Sequence, residues 1–149
     1  MNKEFAEDFK YLTEKGKSFW ESTGGLNPMF NISVKNLEGK KGLMVGMIPP
    51  EAIGKSHDLM FILGKKIIST PEVKHIDNII LFSEGWASMG DKKKGIEPTY
   101  PPSKDPNRLE VFMIIGMSDT GQVLSENYKI IDKNGKRYLR KWGNSKKNE

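Results

Sequence analysis

Glu84 and Trp86 in SEGW, and Arg108 and Glu110 in NRLE, are side chains of the kinds that bind or move charge. Residues two apart share one face of an extended strand, so Glu84 aligns with Trp86 and Arg108 aligns with Glu110. If the two strands run side by side, an arginine stands between two carboxylates beside an indole. Such a group has several uses. The guanidinium fork could hold a phosphate or carboxylate. A glutamate could serve as a general base, and the pair of carboxylates could hydrolyse a bound substrate. Alternatively, an Arg–Glu pair pins the ends of the intervening chain while Trp86 packs beneath it.

Other chemistries are ruled out or weak. The 149-residue chain has no cysteine, which excludes disulfides, thiolate zinc sites, iron–sulfur ligation and cysteine nucleophiles. Its two histidines are His57 and His75. His57 adjoins Asp58, but neighbours on a helix do not face one another, and no metal site or cofactor is expected from so few ligands. IPPEAIGKS ends like a phosphate-binding loop but lacks the first glycine of that motif. The GxSxG string of a nucleophile elbow is absent from the sequence.

Charge is unevenly spread. The net +5 arises because residues 129–149 hold eight basic and two acidic residues, while residues 1–128 sum to −1. Within that region Lys136, Arg137, Tyr138, Arg140, Lys141 and Trp142 interleave cations with aromatic rings, a composition suited to nucleic acid. A lysine-rich end is also a common solubilising device.

The elements that must carry these groups follow from periodicity. Phe5, Phe9, Leu12 and Phe19 or Trp20 recur at helical spacing in residues 3–21, and Gly24-Gly25 supplies a stop. After Pro28, apolar Phe30, Ile32 and Val34 alternate with polar residues, which predicts a half-buried strand opening a hairpin over 29–48. Ser56 is placed to cap a second helix through HDLMFILGKKII. VKHIDNIILFSEGWAS reads as a long strand from about 75 to 87, with an IILF centre apolar on both sides, as an interior strand requires. The segment between Trp86 and Arg108 carries Lys92-Lys93-Lys94 and four prolines, a composition of lids, binding loops and excursions. LEVFMIIGM, QVLSENYKII and KRYLRKW are then joined by turns at SDTG and DKNG as an antiparallel meander.

These elements amount to a single α+β domain over 1–142, a mainly antiparallel sheet of about six strands with two helices, followed by a basic disordered tail at 143–149. No apolar run approaches the roughly 18 residues of a membrane span, so a cytoplasmic location is expected and no membrane partner.

SEGW followed by PPSKDPNRLEVFMI resembles a pattern of uncharacterised prokaryotic and phage or plasmid proteins, in which a Glu-x-Trp strand end precedes Pro-Ser-x-x-Pro-x-Arg-x-Glu-Val. The resemblance covers about residues 80–118. It implies a small accessory protein and marks Glu84, Trp86, Pro106, Arg108 and Glu110 as the matching positions. It assigns no activity, and the sequence compels none. The function expected is that of a small cytoplasmic accessory or binding protein using the 84–110 corner for a protein partner, a second copy or an anion. The alternative is a nucleic-acid-associated protein binding through the basic C-terminal strand and tail.

Overall fold

The computed structural model describes residues 2–47, 71–87 and 109–142. One helix, α1 (Lys3–Thr23), is followed by β1 (Met29–Asn36), β2 (Lys41–Met47), β3 (Val73–Ala87), β4 (Leu109–Ser118), β5 (Val123–Lys133) and β6 (Lys136–Trp142). The strands form one sheet in the order β2-β1-β3-β4-β5-β6, and every neighbouring pair is antiparallel. The antiparallel α+β reading holds. The helix expected at HDLMFILGKKII, the segment 88–108 and the tail 143–149 lie outside the described residues.

Helix α1 forms where the sequence supplies both ends and one apolar stripe. The Asn2 side chain accepts from the Phe5 amide at 3.2 Å, capping the N-terminus. Gly24 adopts φ +79°, the left-handed region that glycine enters at no steric cost, and its N–H donates to the Trp20 carbonyl. Phe5, Phe9, Leu12, Gly16 and Trp20 are buried against the sheet. Of the two aromatic candidates at the end of the stripe, the structure buries Trp20 completely and leaves Phe19 54% exposed.

The stripe lies across β3, β4 and β6, and its core is an aromatic and aliphatic cluster of Phe9, Leu12, Trp20, Ile80, Phe82, Phe112, Ile114 and Tyr128. Phe112 touches the rings of Trp20, Phe82 and Tyr128 at centroid distances of 6.1–6.4 Å, within the range of favourable aromatic pairs. Close approach of helix to sheet depends on glycine. A Cβ on Gly116 would meet Phe9, Ile80 and Phe5 at 3.1–3.2 Å.

β1 differs from the half-buried strand expected. Asn31, Ile32, Ser33 and Val34 are all buried, so side chains on both faces of β1 are shielded from solvent. Ile32 and Val34 form a second apolar cluster with Phe30, Ile76 and Ile79. In the register α1-facing Asn31 pairs with α1-facing Ile80, while Ile32 pairs with Ile79, so this second cluster occupies the face turned away from α1.

Two predictions follow from the packing. Gly116→Val should destabilise the domain by about 2 kcal/mol in urea unfolding despite the higher strand propensity of valine, because the added atoms overfill the contact with α1. The buried Tyr128 hydroxyl donates to Glu126, and burial first, then that carboxylate, raises its pKa. A phenol with a raised folded-state pKa stabilises the fold below the unfolded value of about 10, and this contribution is lost as pH rises beyond it. Tyr128→Phe should therefore flatten the alkaline limb of a pH–stability profile.

Candidate functional site

β3 and β4 are neighbours, and their register sets Trp86 opposite Glu110 and Glu84 opposite Phe112. Glu84 and Glu110 thus project from adjacent strands on the side that carries α1. The arginine between them is Arg137 of β6. Its Nη2 donates to Glu84 Oε1 at 3.4 Å and to Glu110 Oε2 at 3.1 Å, and its Nη1 donates to the Gly24 carbonyl at 2.8 Å. The guanidinium also lies 5.2 Å over the Trp20 ring, a cation–π distance. Arg108 lies outside the described residues, as does the Trp86 side chain.

Glu84 is the hub. Its Oε2 accepts from the Trp20 indole at 3.0 Å and from the Leu26 amide at 2.7 Å, while Oε1 faces Arg137. The last turn of α1 contains no basic residue. Arg137 therefore brings the cation that the carbonyl end of the helix dipole favours from a strand more than a hundred residues downstream. Gly25 passes so close that a Cβ there would stand 3.3 Å from Glu84 Oε2.

This geometry restricts the chemistry. The Glu84 side chain is 25% exposed, and both of its oxygens are engaged as acceptors, Oε2 by Trp20 and Leu26 and Oε1 by Arg137. An anion at Arg137 would compete with two carboxylates. Among the described residues these contacts form a latch joining the end of α1 to β3, β4 and β6. Arg137 thus forms an arginine–carboxylate pin here; the pairing expected of Arg108 lies outside the described residues.

The six basic-strand candidates are divided by the pleat of β6. Arg137 and Lys141 face α1, where Arg137 serves the corner and Lys141 Nζ lies 3.7 Å from Glu126. Lys136, Tyr138, Arg140 and Trp142 point the other way. On β5 they stand opposite Lys133, Ile131, Lys129 and Asn127, and Lys129 Nζ lies 5.8 Å over the Trp142 ring. Among the described residues, Lys129, Lys133, Lys136 and Arg140 have no carboxylate partner within 4.0 Å. Lys129 and Lys133, at the start of the basic stretch read from sequence, join this face from β5. Their i, i+2, i+4 spacing with Ile131 was the available signal.

A second polar cluster fastens the other half of α1. Asp8 accepts from Lys41 at 2.6 Å and from Asn78 at 2.9 Å, and Lys35 Nζ donates to Asp77 at 2.9 Å and Glu4 at 3.4 Å. Asp77 sits where the β1–β3 register shifts, and His75 Nε2 lies 2.8 Å from Asp119 and 3.8 Å from Asp77. Among the described residues no group of three or more His, Cys, Asp or Glu is placed to hold a metal ion, and no helix is long and apolar enough to cross a membrane.

Comparison of the chain with protein-family models, with curated proteins and with solved structures gave no match. The likeness of residues 80–118 to uncharacterised prokaryotic proteins accordingly remains one of pattern.

The latch makes unequal demands on its two carboxylates. Glu84→Gln should cost about 2 kcal/mol of unfolding free energy, since one amide N–H₂ must then face a donor. Glu110→Gln, at a side chain 55% exposed, should cost less than about 1 kcal/mol. Urea denaturation of both variants tests the ranking, and equal costs would show that Glu84 is not the hub.

Proposed function

We propose that this chain is a small cytoplasmic binding protein that takes single-stranded nucleic acid on the face of β5 and β6 turned away from α1. One observation carries the reading. Lys129, Lys133, Lys136 and Arg140 stand around Tyr138 and Trp142 on one surface, and none has a carboxylate partner among the described residues. Tyr138 and Trp142 are four residues apart on one strand, about 13 Å. That spacing lets two bases stack while the cations follow the phosphates between and beside them. The corner at Glu84 has a supporting part in this reading. By consuming Arg137 on the opposite face, it fixes which residues of β6 face solvent.

The non-enzymatic character of the proposal rests on the same accounting. Glu84, the carboxylate at the centre of the corner, is engaged by Arg137, Trp20 and Leu26.

Fluorescence anisotropy with a labelled single-stranded oligonucleotide, titrated over a salt series, tests the proposal. Four phosphate contacts predict a slope of log K against log salt near −3. Tyr138→Ala and Trp142→Ala should each weaken binding about 10-fold or more through lost stacking, whereas Lys3→Ala on the exposed side of α1 should leave it unchanged. No binding at about 50 mM salt rejects the reading.

A further inference from the structure

The sheet ends in two edges, β2 and β6, and they are protected to very different degrees. β6 reads KRYLRKW, four cations in seven residues. If it paired with itself antiparallel about Leu139, Arg137 would stand opposite a second Lys141, and like charges directly opposite one another are destabilising. β2 reads KGLMVGM. Leu43, Val45 and Met47 are 50%, 55% and 56% exposed, and they form one row on the side of the sheet that carries α1. The only charge on the strand, Lys41, is already paired with Asp8 and Glu4. An exposed apolar edge without a guarding charge is a template for another strand.

The backbone of β2 has the direction needed. The hairpin closes with the Asn36 amide donating to the Lys40 carbonyl at 2.9 Å. The β1–β2 hydrogen bonds therefore recur at Val34–Gly42, Ile32–Met44 and Phe30–Gly46. The N–H and C=O groups of Lys41, Leu43, Val45 and Met47 then point outward, and among the described residues no strand receives them.

We propose that β2 is a homodimer edge, pairing antiparallel with β2 of a second copy about a two-fold axis at Met44. In that register Leu43 stands opposite the partner's Val45, and the outward backbone groups of both form a hydrogen-bonded pair. Lys41 meets the partner's Met47, so no like charges oppose. Gly42 meets the partner's Gly46, so neither places a side chain of its own beside the two Met44 side chains on the far face. The ring of Phe30 fills the space over Gly46, where a Cβ would come within 2.5 Å of it. The Leu43–Val45–Met47 rows of the two copies become one apolar band. Beside each row a groove of about 430 Å³, lined by Leu12, Phe19, Leu26 and Met29, runs along α1. A second copy is the occupant favoured by charge: β2 against β6 would set cations against Leu43 and Val45 with no carboxylate to receive them, whereas β2 against β2 is neutral through its centre. The contact is isologous, so it closes at two subunits. It does not depend on the nucleic-acid reading.

Because the chain has no cysteine, the register can be tested directly. Opposed residues of a non-hydrogen-bonded antiparallel pair have Cα atoms about 4.5 Å apart, within disulfide range. Met44→Cys should therefore give a disulfide-linked dimer on mild oxidation, and Met47→Cys should not. In sedimentation equilibrium the full chain should run as a dimer. Val45→Pro removes an outward N–H without touching the β1–β2 ladder, and the two-fold doubles the loss, so dimerisation should weaken about 10- to 100-fold. Val45→Lys should give a folded monomer by circular dichroism. A monomeric wild-type chain, a mass that keeps growing with concentration, or a dimer that survives both Val45 variants and resists the Met44→Cys cross-link would each overturn the proposal.

Discussion

The carboxylate of Glu84 is the point on which the arrangement of this domain turns. A helix leaves unsatisfied carbonyls at its C-terminal end, and here the nearest chain offers no cation to meet them. Glu84 accepts from the indole of the last buried helical residue and from the amide at Leu26, just past the glycine turn. It also holds Arg137, which donates onward to the Gly24 carbonyl. One side chain on the central strand thereby fixes where α1 stops and how the chain enters β1. It also fixes which face of β6 turns inward. Charge-assisted hydrogen bonds of this kind are strong where water is partly excluded, and Trp20, wholly buried beneath the guanidinium, excludes it.

The same constraint separates the surface into regions of different character. β6 alternates cations on both faces, so its composition alone gives one undivided basic strand. Once Arg137 is drawn to Glu84 and Lys141 lies beside Glu126, the remaining positive charge is confined to the opposite face, together with Tyr138 and Trp142. At the far side of the sheet, β2 carries apolar side chains and one neutralised lysine. A sheet with one charged and one apolar edge discourages pairing at the first and leaves the second available. The Asp8–Lys41 contact ties that apolar edge to the N-terminal half of α1, so both ends of the helix take part in defining the two edges.

Much of the architecture was legible in the sequence because it rests on local periodicity. The α1 stripe, its Gly24 stop, the 29–48 hairpin, the interior IILF strand and the closing meander each depend on residues within a few positions of one another. β1 shows where that reading falls short. Its alternation of Phe30, Ile32 and Val34 with Asn31 and Ser33 reads as half-buried, yet Asn31 and Ser33 are buried too. What packs on each side of the sheet, not strand pattern, determines how many faces of a strand are covered. The choice of Trp20 over Phe19 was open for a related reason, since adjacent helical residues differ by only about 100° in direction and the sheet decides between them.

The sequence by itself determined that Glu84 and Glu110 end and begin strands able to share a face, and that the C-terminal strand would be basic and aromatic. Only the tertiary structure decided that Arg137, 53 residues from Glu84 in the chain, joins these carboxylates, and that its neighbours on β6 divide between latch and surface. Pairing across such a separation is set by strand order and register, and these depend on burying the whole apolar face of the sheet at once. No short window of residues contains that information.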